Sequence, residues 1–259
     1  MTDTVHLSHK DGIAHLVLSR PNSLNAMRQS DYRKLADLLR EADETDEIKV
    51  CVISGDGDDF CAGNDIEEFA EKDRWDPTEL SDPARTPSTD AVHALMDFSK
   101  PLIAGLHGRA IGFGATMLLH CDLVIAHAGA TISHPFVNLG LVPEAGATFL
   151  LAERLGRARA REVLMMADPV PAPRALELGL VSEMIHKQAN LLDRAFEIAR
   201  MLALKSQSAL IATKRLVNRP GDTLKSRVGG EFRLLAERLN DSDVRDAFKS
   251  MSKSGADKR

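Results

Sequence analysis

Two short loops hold most of the residues that could do chemistry. Phe60-Cys61-Ala62-Gly63-Asn64-Asp65-Ile66 follows one apolar run, and His107-Gly108-Arg109-Ala110-Ile111-Gly112-Phe113-Gly114 follows another. Small residues let backbone N–H groups come close to a ligand. A loop that enters a helix start also aims unpaired N–H donors and a partial positive charge outward. Two such loops converging on one oxygen would make an oxyanion hole; a pair of ordinary strand-to-helix turns would have the same composition. The third feature is Glu144, in the turn Pro143-Glu144-Ala145-Gly146, among Leu139, Leu141, Val142, Phe149 and Leu150. Apolar settings lift carboxyl groups towards neutrality and make them useful general bases. The same carboxylate could simply complement a helix N-terminus.

Other chemistries lack their residues. Gly112-Phe113-Gly114 has no third glycine for a dinucleotide fingerprint, and neither a GxxxxGK(S/T) phosphate loop nor a GxSxG nucleophile elbow occurs. The nine histidines do not fall at metal-binding spacing; His120 and His127 flank a strand-like run, so no metal site is expected. Cys51, Cys61 and Cys121 are odd in number and far apart, which fits neither a disulfide framework nor a CxxC pair and points to a reduced, cytoplasmic setting. Lys and Arg total 33 against 38 Asp and Glu, a net charge of −5, so no basic field would recruit nucleic acid or an anionic membrane. No apolar run nears the roughly 18 residues of a membrane span. Met1–Gly12 is polar, so no secretory leader is expected.

The elements that must position these loops follow from periodicity. At 259 residues, 44% hydrophobic and 27% charged, the chain suits one large globular domain with an appendage. Strands are expected near Thr4–Ser8 and Ala14–Leu18, paired through Lys10-Asp11-Gly12, then a helix over Gln29–Ala42 with Tyr32, Leu35, Leu38 and Leu39 on one face. Lys49–Ser54, Pro101–Leu106 and Leu123–Ala126 read as strands, and Thr89–Phe98 and Gly114–Leu119 as helices. The charged, proline-broken stretch from Glu71 to Ser88 suits a mobile surface loop. Alternation of strand, loop and helix predicts α/β layering with parallel strands. Beyond Ala145 the pattern is mostly helical, with helices expected over Leu191–Leu204, Ser208–Leu216, Leu224–Leu239 and Asp243–Met251. This divides the chain into an α/β core, 1–195, and a helical segment, 196–259.

Four segments together resemble the crotonase superfamily, the enoyl-CoA hydratase/isomerase family. They are Arg20-Pro21-Asn22-Ser23-Leu24-Asn25-Ala26-Met27; Ser54-Gly55 through Ile66; Lys100-Pro101-Leu102-Ile103-Ala104-Gly105 through Cys121-Asp122; and Leu139-Gly140-Leu141-Val142-Pro143-Glu144-Ala145-Gly146. The resemblance implies a crotonase-type α/β spiral of ββα-like turns with a C-terminal helical segment, assembled as a homotrimer or a dimer of trimers. It implies an acyl-CoA thioester substrate, with coenzyme A part of that substrate and no separate cofactor. The thioester oxygen would sit on the backbone N–H groups of Ala62 and Phe113, beside Gly112. The adenine and pantetheine would lie along Ser23–Leu24 and Ala62, Gly63, Asn64, Asp65 and Ile66. Phe113 departs from the glycine usual at its position, so its ring would shape the acyl pocket or pack in the core.

The two glutamates that hold water in hydratases of this family align with Thr116 and Phe136. Neither can act as a carboxylate, and hydration needs both a base and an acid. Glu144 resembles the single catalytic glutamate of Δ3,Δ2-enoyl-CoA isomerases, so enoyl-CoA isomerase is the activity expected. A hydratase, another acyl-CoA-processing enzyme, or a non-catalytic acyl-CoA binder are the alternatives. Arg109 could meet a phosphate or carboxylate or be a solvated loop arginine, with His107 nearby; Asp65 and Asp122 match structural positions. In relatives a C-terminal helix touches CoA; Phe248, Lys249 and Lys253 occupy that region here.

Overall fold

The computed structural model describes residues 4–71 and 76–218, with positions 228–229, 232, 235–236, 239–240, 242, 245–246 and 248–250. A hairpin of β1 (Val5–Lys10) and β2 (Ile13–Leu18) opens the chain, and α1 (Gln29–Glu44) leads to β3 (Val50–Gly55). Beyond the first glycine-bearing loop come α2 (Ile66–Glu71), α3 (Pro77–Leu80) and α4 (Pro87–Asp97). β4 (Leu102–Leu106) runs into β5 (Arg109–Ile111) and α5 (Phe113–Leu119), followed by β6 (Leu123–His127) and β7 (Thr131–Ser133). The remainder is α6 (Ala147–Met166), β8 (Val170–Pro171), α7 (Ala172–Glu177), β9 (Glu183–Ile185), α8 (Leu191–Ala203) and α9 (Gln207–Asn218).

The main sheet has the order β1-β2-β3-β4-β6-β9, antiparallel at the hairpin and parallel thereafter. Its central strands are buried on both faces, as the uninterrupted apolar runs predict. The period of two then divides them. Val50, Val52, Ile103 and Ile125 meet Leu191, Ala195 and Ala199 of α8. Cys51, Ile53, Leu102 and Ala104 face the larger core with Tyr32, Leu35 and Leu39 of α1 and Leu95 of α4. Burying each such leucine or isoleucine contributes roughly 1.5–3 kcal/mol. α8 spans position 195, and both its halves lie on the sheet. Val228, Phe232, Leu235, Ala236, Leu239 and Phe248 join the same core as α1, with the Phe248 ring 6.0 Å from that of Phe69.

Several short elements escaped the sequence patterns. A second sheet, β5-β7-β8, is made of strands of two or three residues, too brief to show a period. The stretch expected as a surface loop holds α3, whose start is capped by the Asp76 carboxylate accepting from the Thr78 and Glu79 amides. α4 begins at Pro87 rather than Thr89, as suits proline at a first helical position. The expected helices over 224–239 and 243–251 fall partly outside the described residues; the described positions 228–229, 232, 235–236, 239, 242, 245–246 and 248–250 are helical. Among the described residues no helix is long and apolar enough to cross a membrane.

β3 and β4 are parallel neighbours, with Ser54 opposite Gly105, so the two loops leave the sheet at the same edge. They are then stitched side by side. The Cys61 amide donates to the Arg109 carbonyl at 3.1 Å, and the Ile111 amide donates to the Cys61 carbonyl at 2.9 Å. The approach is close enough to exclude side chains at two points. A β-carbon at Gly63, where φ is +85°, would lie 2.7 Å from the Ile111 oxygen, and one at Gly114 would lie 2.3 Å from the Cys61 oxygen. Gly114→Ala must push α5 away from the first loop. Overpacking of this kind costs about 1–3 kcal/mol, so urea unfolding should show a loss of that size; wild-type stability in the variant would contradict the packing described.

Candidate active site

The first loop is anchored from below by the segment after β2. The Asn25 side chain accepts from the Arg20 amide at 2.7 Å and donates to the Asp56 and Asp59 carbonyls at 2.9 and 2.7 Å. Arg20 reaches Asp65 at 2.9 Å and the Ala26 carbonyl at 2.6 Å. Asp65 also accepts from the Glu67 and Glu68 amides at the start of α2, so its role is structural, as its position suggested. Asp122 likewise accepts from the Leu102 amide and from Lys214, at 2.7 and 2.8 Å. Ser23 lies beside Arg20 at 3.3 Å, and Leu24 is exposed.

Arg109 is half exposed, but it is engaged by a carboxylate. Its guanidinium makes a two-pronged pair with Asp59, at 2.7 and 2.8 Å, and its amide donates to the same carboxylate at 2.8 Å. The hydrogen bonds from Arg109 hold the Asp59 carboxyl below its usual range. This clamp ties the two loops together at their base. His107 bonds the Gly57 carbonyl at 2.9 Å.

The two amides expected to face a thioester oxygen differ in their hydrogen bonding. Phe113 is the first residue of α5, so its N–H has no intrahelical acceptor. Gly112 before it, at φ +56°, donates its own amide to the Ser133 carbonyl at 2.9 Å. The Ala62 amide, by contrast, donates to the Leu24 carbonyl at 2.9 Å and is already satisfied. Two residues further on, the backbone pairing differs. Met27 bridges this loop through the Gly63 carbonyl and the Asp65 amide, which leaves the Asn64 N–H pointing away from that pairing. Asn64 and Phe113 carry no acceptor for their amides among the described residues. The two loops are close here: a β-carbon on Gly63, next to Asn64, would lie 3.3 Å from the Phe113 nitrogen.

Glu144 is 2% exposed and lies against the Asn64 side chain. The Asn64 side-chain amide donates to its carboxylate at 3.2 Å, and the other end of that amide accepts from the Tyr32 hydroxyl at 2.5 Å. The turn behind Glu144 holds Ala145 at φ +55° and Gly146 at φ +86°. His120 braces it, its Nε2 donating to the Ala145 carbonyl at 2.8 Å. The Phe113 ring is buried edge-on against Tyr32, with centroids 4.7 Å apart, so it packs in the core. Thr116 is buried and its hydroxyl donates to the Gly112 carbonyl at 3.1 Å; Phe136 is buried without polar function. Burial pushes the Cys61 thiol up to about 12, which keeps it neutral and unreactive near pH 7.

The sequence marks Asn64 for the substrate edge, but it shows neither the contact of the Asn64 side chain with Glu144 nor the part of Tyr32. The one available signal was a lone hydroxyl-bearing aromatic in the leucine-lined stripe of α1. Among the described residues no cluster of three potential ligands for a metal occurs. Lys249 pairs with Asp246, and Lys253 lies outside the described residues.

A family model described as enoyl-CoA hydratase/isomerase matches residues 8–254. The 1,2-epoxyphenylacetyl-CoA isomerase of Escherichia coli is 32% identical over 82% of this chain and 81% of its own length. The 2,3-dehydroadipyl-CoA hydratase of the same organism is 32% identical over 81% and 79%. The solved structure of Pseudomonas aeruginosa OdaA superposes with a TM-score of 0.90 at 33% identity, covering 96% of this chain and 99% of that one.

The buried histidines around the site make stability depend on acid. Burial lowers both His120 and His134 from 6.5 to about 4, and neither ring nitrogen of His134 has a hydrogen-bond partner among the described residues. The unfolded chain takes up a proton at each near pH 6.5, the folded chain only near 4. Their contribution is thus whole above 6.5 and falls as pH drops towards 4, at about 1.4 kcal/mol per pH unit for each ring. Unfolding free energies measured between pH 7 and 5 should lose one proton's worth of slope in His134→Leu. An unchanged slope would contradict a neutral, buried His134.

Proposed function

The chain belongs to the enoyl-CoA hydratase/isomerase family, and from that premise we propose that it is a Δ3,Δ2-enoyl-CoA isomerase that uses Glu144 as its single acid and base. The observation that carries this reading is the buried Glu144 carboxylate, held by the side chain of Asn64, whose amide, like that of Phe113, is unpaired among the described residues.

The thioester oxygen of a 3-enoyl-CoA accepts from both amides. Glu144 takes a proton from C2. The electron pair of that C–H bond forms a C1–C2 double bond and places the negative charge on the thioester oxygen, a dienolate in which C3–C4 is still double. Glu144 then returns the proton at C4, C1=O re-forms and the double bond is left at C2–C3. One carboxylate serves both steps when they occur on the same face. The amides are fixed by the fold before substrate arrives, so they stabilise the developing charge without reorganising. This chemistry calls for no cofactor beyond the coenzyme A of the substrate. The exposed Leu24 with Ser23, and the edge from Ala62 to Ile66, are proposed to carry the adenine and pantetheine. A homotrimer or dimer of trimers is proposed on family likeness.

A hydratase is the second reading, favoured by relatives named as hydratases. Against it stand Thr116, with its hydroxyl turned back on the Gly112 carbonyl, and the apolar Phe136. A panel of 2-enoyl-, 3-enoyl- and 3-hydroxyacyl-CoAs, followed by mass spectrometry in heavy water, separates the readings. Crotonyl-CoA should be hydrated far more slowly than a 3-enoyl-CoA is isomerised; comparable rates would reverse the order.

Glu144→Gln should keep its fold and its acyl-CoA affinity but lose isomerisation by about 10²–10⁴-fold, the usual cost of removing a general base. Near-wild-type turnover in that variant would reject the assignment. A non-catalytic binder would exchange no deuterium into C2 in either protein.

A further inference from the structure

Tyr32 is the only tyrosine in the chain. It is fully buried on α1, among Leu35, Ala36 and Leu39. A phenol in such a setting must satisfy its hydroxyl, and Tyr32 does so on the Asn64 side-chain oxygen at 2.5 Å. This bond decides which way the Asn64 amide faces. With its oxygen held by the hydroxyl, the amide presents its NH₂ to the Glu144 carboxylate at 3.2 Å. Turned over, it would set oxygen against carboxylate, two acceptors with no proton between them. Burial pushes the phenol well above its usual range, so it remains a donor throughout the working pH. The same ring meets Phe113 edge-on, at 4.7 Å and 81°. One side chain therefore touches the residue of each proposed oxyanion donor and, through Asn64, the proposed base.

We infer that Tyr32 is a positioning residue for the proton transfer, its hydroxyl fixing Asn64 so that one residue offers its backbone N–H to the enolate and its side-chain N–H to Glu144. This rests on Glu144 being the base. The hydroxyl touches no substrate atom; it keeps hole and base at one separation. Proton transfer is sensitive to such placement, because base and carbon must already be within reach of each other.

The test uses Tyr32→Phe, which keeps the ring against Phe113 and removes only the oxygen. With a 3-enoyl-CoA, kcat should fall about ten-fold, on the scale of one lost buried hydrogen bond, while KM stays within about two-fold. In a Glu144→Gln background, Tyr32→Phe should cost nothing more, since the base it positions is gone. A measurement without turnover stands beside this. 3-Fluorotyrosine incorporated into the wild-type chain labels position 32 alone, and its ¹⁹F resonance should move on Glu144→Gln. Wild-type kcat in Tyr32→Phe, or a ¹⁹F resonance indifferent to Glu144→Gln, would overturn the inference. Failure of the base assignment is distinct from these outcomes: it is full turnover in Glu144→Gln alone.

Discussion

Everything at the candidate site depends on how closely two strand-to-helix loops lie against each other. The Cys61–Ala110 bridge and the Asp59–Arg109 clamp bring residues 59–64 alongside 109–114. Gly63 and Gly114 let the backbones meet where a β-carbon would strike a carbonyl. Such contact has a chemical result. Backbone amides normally find acceptors, yet among the described residues the start of α5 and the bridge at Met27 leave those of Phe113 and Asn64 without one. The parallel β3–β4 pair supplies the common edge, and α1 and α8 hold that pair from its two faces.

Because the proposed hole is made of backbone, its side chains are free to do other things. Phe113 contributes an amide to the site and a ring to the core, where it meets Tyr32. Asn64 contributes an amide to the hole and its side chain to Glu144. A chain of buried polar groups, Tyr32 to Asn64 to Glu144, is costly unless each member is paired, and these are paired in sequence. The strained turn at Ala145 and Gly146, braced by His120, delivers the carboxylate to the end of that chain. An apolar Phe136 and a self-satisfied Thr116 leave Glu144 as the carboxylate at this site whose placement suits proton transfer.

Much of this was legible in the sequence. The long runs of β3, β4 and β6 and the amphipathic stripe of α1 each exceed one period of their element, so composition sufficed. The small sheet was not legible, since β5, β7 and β8 are shorter than any pattern and are defined by their partners. Motif order points to Glu144 and Phe113, and the structure brings Asn64 against the first and Tyr32 against both Asn64 and the second. The first loop points to the Ala62 amide because spacing cannot tell which amide in a run of small residues is already used. Leu24, some forty residues earlier, takes that amide. Arg109 was likewise ambiguous until Asp59 was found beside it, and Tyr32 was indistinguishable from a core aromatic until its hydroxyl met Asn64.

The central claim is that the amides of Asn64 and Phe113 polarise a bound thioester. The vibrational frequency of that carbonyl reports it directly. Infrared difference spectra of a ¹³C-labelled thioester bound to Glu144→Gln, which retains the hole without turning over, isolate the one C=O stretch of interest. Two charge-directed donors should shift the stretch clearly below its value for the free thioester in water. A bound thioester whose carbonyl absorbs where it does in water would contradict the claim.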